Sequence, residues 1–289
     1  MKSSAQSTFA GLAFALILPV AAQCQSMILP DSLEAGAPFT VSTSGNGKAT
    51  LYVVGPGAAI KQDIQLGGAT AFPAGSLSNV GHYVACLAWD GGSINGVFDV
   101  SVAAMVTELS FLAKPSRLSV GVANGITGTV YLFDVYHNLI LPPATVSFEL
   151  LLPSGSVVKR TAVSRGGAAW IALDSSAQQG NAKFSAQVGT VSSTRIVEQV
   201  PGDPCRLAMS AKQVSGKLEL VTEPVKDCSG NPVPDGTIVT FTGTHNGDQS
   251  TVDVPLKHGV AQGELPAYPG EALSVASGVV LGNRIVWEK

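Results

Sequence analysis

Apolar and polar residues alternate along most of the chain in short runs separated by turn residues, and no stretch keeps a helical period. Period-two runs of this kind describe half-buried strands. They predict strands over residues 38–42, 49–54, 81–89 and 96–102, then 129–133 and 217–222, together with the Val146-x-Phe148 and Val239-x-Phe241 segments. The turns between them have their own chemistry. Ser44-Gly45-Asn46-Gly47, Gly55-Pro56-Gly57 and Asp90-Gly91-Gly92 supply residues that tolerate the backbone angles of tight hairpins. The best helical candidate, residues 174–179, is short and ends at a glycine. Strands recurring at about 8 to 12 residues predict an all-β fold of sandwich type. In Gly81-His82-Tyr83 a glycine precedes a tyrosine-led strand. Penultimate strands of many sandwiches begin this way, which makes Tyr83 the candidate corner tyrosine, with a hydroxyl that bonds backbone.

The pattern repeats. Asp134, Asn138, Val146 and Phe148 have the same mutual spacing as Asp227, Asn231, Val239 and Phe241. Downstream, Gly189-x-Val191-x-x-x-Arg195-Ile196-Val197 is mirrored by Gly278-x-Val280-x-x-x-Arg284-Ile285-Val286. A period of about ninety residues is too long for a solenoid and fits one sandwich per unit. Within each copy a β-rich run stops at Asp and Asn, which bond their own backbone. Pro142-Pro143 in one copy, and Pro232 with Pro234 in the other, then keep the connection extended until the next strand. The expected organisation is a leader over residues 1–22 and three tandem sandwiches over 23–104, 105–200 and 201–289. Pro201-Gly202-Asp203-Pro204 forms a short, stiff link before the third.

The third copy resembles the bacterial immunoglobulin-like domains of the invasin/intimin type. Their hallmark is an Asp, a Gly-Asn-Pro-Val turn and a strand of Val-x-Phe form, here Asp227, Gly230, Asn231, Pro232, Val233 and Phe241. In the second copy His137 stands in place of the glycine and Leu139-Ile140 in place of Pro-Val, so its likeness rests on spacing around Asp134 and Asn138. The first copy lacks the motif and shares only the sandwich pattern. The resemblance implies immunoglobulin-like sandwiches, turn-forming roles for the motif residues and contact at a cell surface.

Residues 1–22 carry a single early Lys2 and an apolar run closing on Val20 and Ala22. This is the layout of a cleaved secretory signal peptide, too short for a retained span. Gln23 before Cys24 departs from the small residue that bacterial lipidation requires. Removing Lys2 leaves 16 basic against 20 acidic residues, a net of about −4, which argues against nucleic acid or anionic membrane as partner. Charged residues make up 13% of the chain, about half the usual share. Export, to the periplasm, cell surface or medium, is the expected destination.

The four cysteines show no metal-finger spacing and are even in number, which favours disulfides. A strand from Cys205 that turns at Ser215-Gly216 and returns through residues 217–222 brings Cys228 back within reach. Cys205 with Cys228 is the expected pair, and Cys24 with Cys86 follows by elimination.

No catalytic constellation stands out. The histidines His82, His137, His245 and His258 are scattered without metal-ligand spacing, and no nucleophile elbow occurs. Asp203, Asp227, Asp235, Asp248 and Asp253 raise calcium at a junction, but turn capping suffices for them. Core packing is the ordinary role for Trp170, and a glycan-stacking surface is the alternative. No cofactor or metal is expected. The chain reads as a non-catalytic spacer, adhesion or protein-interaction module. A carbohydrate-binding accessory protein and a periplasmic assembly or chaperone subunit that pairs by strand addition are the rivals.

Overall fold

The computed structural model describes residues 25–288, so the expected leader over 1–22 and Cys24 lie outside the described residues. Among these residues strands are joined by turns and loops, with no helix. The chain divides into two compact units, the first ending at Ser101 and the second beginning at Val102.

The first unit is one sandwich of β1 (Met27–Ile28), β2 (Ser32–Glu34), β3 (Phe39–Thr43), β4 (Lys48–Gly55), β5 (Ala58–Gln65), β6 (Ala69–Phe72), β7 (Gly81–Trp89) and β8 (Gly92–Ser101). One sheet has the order β1-β3-β6 and the other β2-β8-β7-β4-β5. All pairings are antiparallel except β2 with β8, which run parallel from Ser32↔Asp99 to Glu34↔Ser101. Alternation places Leu51 and Val53 of β4, and Ala85 and Leu87 of β7, fully inside. Phe39 stacks on Phe72 at 4.4 Å between centroids. Tyr83 is fully buried, and its hydroxyl donates to the carbonyls of Asn79 (2.9 Å) and Pro56 (3.0 Å). A Cβ on Gly55 would fall 2.3 Å from its ring, so only glycine fits there.

The second unit contains two sandwiches with separate cores. The upstream one comprises β9 (Glu108–Lys114), β10 (Arg117–Ser119), β11 (Ile126–Phe133), β12 (Thr145–Leu151), β13 (Val157–Val163), β14 (Ala168–Leu173), β15 (Gly180–Val188) and β16 (Val191–Val200). Its sheets are β14-β11-β9 and β10-β16-β15-β12-β13, with β10 again parallel to β16. Phe111, Phe148 and Phe184 meet between the sheets, Phe111 edge-on to Phe184 at 5.1 Å. The downstream sandwich comprises β17 (Pro204–Arg206), β18 (Met209–Val214), β19 (Lys217–Thr222), β20 (Lys226–Asp227), β21 (Ile238–His245), β22 (Asp248–Pro255), β23 (Gln262–Pro266), β24 (Glu271–Ser277) and β25 (Val280–Trp287). Its main sheets are β18-β19-β23 and β22-β21-β24-β25, around Leu218, Leu220, Val239, Phe241 and Leu273.

The two sandwiches of the second unit differ at one edge. Eleven residues separate β9 from β11, and among them β10 crosses to pair with β16. Only Ser215 and Gly216 separate β18 from β19, too few to supply such a strand. The outer edge of β25 instead meets the Leu207 carbonyl through the Asn283 N–H, while the Asn283 side chain bonds both backbone groups of Met209.

Replacing Tyr83 with Phe removes the hydroxyl donor from the Asn79 carbonyl and leaves the Pro56 carbonyl with only the Asn79 side-chain amide, at 3.2 Å. The first sandwich should lose about 1 to 2 kcal/mol, read as a lower midpoint in its denaturant transition. An unchanged midpoint would show that the hydroxyl bonds contribute nothing.

Candidate functional site

The turn residues repeated in the sequence build the same hydrogen-bonded device twice. In the third sandwich the Asp227 N–H donates to the Asn231 carbonyl at 2.9 Å, closing the turn. Oδ1 of Asp227 accepts from the N–H groups of Ser229 (2.9 Å) and Asn231 (2.8 Å). Oδ2 accepts from the Asn231 amide (3.1 Å) and, from the preceding link, the Gly202 N–H (3.0 Å). Gly230 takes the left-handed conformation that the turn requires, at φ 88°. Pro232 then leads the chain out toward buried Val233 and the strand containing Val239 and Phe241.

The second sandwich repeats this bond for bond. Oδ1 of Asp134 accepts from Tyr136 and Asn138 N–H, both at 2.8 Å, and Oδ2 accepts from the Asn138 amide (2.9 Å) and the Ala103 N–H (3.2 Å). His137 occupies the left-handed position at φ 63°, which histidine tolerates better than most side chains. It also pairs with Glu108 at the surface. Residues 102–104 therefore belong with the second sandwich, and the contact boundary falls after Ser101 rather than after residue 104.

Asn231 adds a contact that ties two sandwiches together. Its amide donates to the Ala177 carbonyl (2.8 Å), and its Oδ1 accepts from the Gln179 N–H (3.2 Å), both in the upstream sandwich. The receiving segment is residues 174–179, an irregular loop rather than a helix. It is shaped by Ser176, whose N–H bonds the buried Gln199 side chain and whose hydroxyl accepts from Gln178 (2.9 Å). Close packing accompanies the bonds, for a Cβ on Gly121 would lie 3.2 Å from Ser229 Oγ. These contacts explain why both sandwiches form one compact unit. Sequence reasoning missed the receiving segment because Ala177 and Gln179 contribute only backbone groups.

A disulfide reinforces the same place. Cys205 on β17 is bonded to Cys228, the residue that follows β20, across a sequence separation of 23. A cross-link of that span removes about 3 kcal/mol of chain freedom from the unfolded state in the loop-entropy model. Cys86 is half-buried on β7 and bonded to no other described cysteine.

Burial pushes the Asp227 carboxyl upward, but its N–H donors and the Asn231 amide outweigh that and hold its pKa below the ordinary value. The same balance depresses Asp134. Asp235, exposed at its turn, is lowered by the N–H groups of His258 and Gly259.

The remaining sequence candidates lie apart. His82 pairs with Asp99 on the first sandwich, and His245 stacks on Tyr268. Of the acidic residues weighed for calcium, Asp227 and Asp235 hold backbone N–H groups and Asp253 accepts from Thr240 at 2.5 Å. No group of three or more metal-ligating side chains occurs among the described residues. Core packing for Trp170 is overturned, because its side chain is 69% exposed on the edge strand β14. Ala169 and Leu173 take the inward positions of that strand and force Trp170 out.

No protein-family model matches the chain, and no curated protein matches it in sequence. Solved structures are similar to it at low identity. The bacterial integrin-binding protein invasin is similar over 91% of this chain at 13% identity with a TM-score of 0.46, and the match spans 60% of the invasin chain. A tetra-tandem repeat from the extending region of a large adhesion protein is similar over 91% of this chain and 72% of its own, at 13% identity and a TM-score of 0.30. Domains A168–A170 of titin are similar over 93% of this chain and all of their own, at 11% identity and a TM-score of 0.41. The sandwiches are immunoglobulin-like by their own strand order, with paired sheets and a buried corner tyrosine in the first.

Two outcomes are expected. Replacing Asn231 with Ala removes its bonds to Asp227 and to the upstream loop. The third sandwich should lose about 1 to 3 kcal/mol, and protease should cut sooner within residues 200–204. The second outcome concerns acid. A carboxylate depressed in the folded state stabilises it above its unfolded pKa of about 4, and that stability is lost as pH falls through the folded value. Melting temperature should therefore hold above that range and drop below it. Asp134→Asn and Asp227→Asn should each flatten the drop, and an acid limb indifferent to both would contradict the assignment.

Proposed function

We propose that the chain is a non-catalytic, exported immunoglobulin-like module that serves as a spacer and adhesion element, with a protein or cell-surface structure as partner. The observation that carries this reading is Asn231, which spends its side chain on fixing the junction between consecutive sandwiches. A hydrogen-bonded junction limits relative motion, as reach requires and as a hinge between catalytic lobes would not. The Cys205–Cys228 bridge supports residence in an oxidising compartment, in keeping with the leader expected over residues 1–22. No helix among the described residues is long and apolar enough to cross a membrane. The proposed sandwiches are the three expected from the sequence, with residues 102–104 joined to the second.

The full chain, with fluorophores at Gln187 and Gln249, should give one narrow energy-transfer population. The Asp227→Ala, Asn231→Ala double variant should broaden it. A broad wild-type distribution insensitive to those changes would reject the spacer role. Beads coated with the chain should be retained on cell layers above albumin-coated controls, and retention at control level would reject the adhesive role.

A further inference from the structure

The outer face of the β14-β11-β9 sheet presents an aromatic pair that the core does not use. Trp170 on β14 is directly opposite Thr129 on β11, which is opposite Leu112 on β9. One rung along the same face, Ala168 is opposite Tyr131. Trp170 and Tyr131 are therefore diagonal neighbours on adjacent strands, about 7 Å apart at their origins. They are 69% and 44% exposed, with Leu112 at 47%. Along β14 the neighbours of Trp170 on this face are Ala168 and Ala172, so no side chain from its own strand screens the indole. These two rungs contain no charged side chain, and Thr129 places a hydroxyl between the aromatic residues and Leu112.

We propose that this face is a subsite for an uncharged glycan, a chain of pyranose rings with equatorial substituents. Such rings offer flat C–H faces to Trp170 and Tyr131, and their hydroxyls can bond Thr129. The size of the face selects this occupant over a protein. Three strands spaced about 4.8 Å apart and a few rungs long offer about 200 Å². Stable protein partners bury about 800 Å² each. The aromatic pair matches two sugar rings, and the absence of charge from these rungs matches a neutral ligand. The inference goes beyond the spacer reading and is independent of the junction at Asn231.

The test uses the full chain with cello- and chito-oligosaccharides, followed by calorimetry and tryptophan emission, and co-sedimentation with cellulose, chitin and xylan. At least one probe should bind with a change in emission, and affinity should be insensitive to salt between dilute and concentrated buffer. Trp170→Ala and Tyr131→Ala should each weaken binding at least tenfold with unchanged melting, since both side chains are exposed. Val163→Ala, at an exposed valine on the other sheet, should bind as the parent does. Failure of every probe to bind, binding that survives both aromatic substitutions, or a Trp170-dependent partner that is a protein would each overturn the proposal.

Discussion

A buried carboxylate that accepts backbone N–H groups from two directions is the constraint on which the second unit depends. Asp134 and Asp227 are almost entirely shielded from solvent, and each takes donors from its own turn and one from the incoming link. Without that acceptor the turn N–H groups, that of Asn231 buried and the others partly so, would lose their partner, at a cost comparable to a lost hydrogen bond for the buried one. The same residue thereby decides where the link runs and where the next strand begins. It also sets the place at which Asn231 can reach across. The disulfide strengthens a path that the carboxylate already defines. The surface ion pairs, such as Lys159 with Glu149, involve well-exposed side chains and contribute little by comparison.

The strands and the turn device were legible because each rests on local chemistry. Alternation marks Leu51 and Val53, or Val146 and Phe148, as inward pairs whatever the rest of the chain does. Asp and Asn four residues apart define an Asx turn in the same way. The β18–β19 hairpin could be read from Ser215-Gly216 between two alternating runs, and it brings Cys228 toward Cys205.

Features that depend on one-residue register were not legible. Residues 168–173 are apolar throughout, so nothing in the pattern said which of Ala169 and Trp170 would face the core. The repeat itself misleads at the last strand. Val197 and Val286 occupy matching positions, yet Val197 is fully buried and Val286 is 57% exposed. An irregularity between Ser274 and Ala276 shifts the pairing of β24 with β25, and a single-residue shift exchanges the two faces. The crossing strands β2 and β10 escaped notice for another reason. They are three residues long, and each places one leucine between polar neighbours, too little for a periodic signal.

Those short strands decide how each sandwich bears mechanical load. Tension along the chain pulls β2 and β8, or β10 and β16, in opposite senses along their length, because each pair is parallel and stands at the entry and exit of its sandwich. Every bond between the two strands is then strained at once, the arrangement most resistant to pulling. Among the described residues the third sandwich has no such pair. Force entering at Cys205 crosses the sulfur bridge to Cys228 and bypasses the β18–β19 hairpin altogether. While the bridge is intact, the residues between Cys205 and Cys228 cannot be drawn out, so a covalent bond protects that part of the third sandwich from extension.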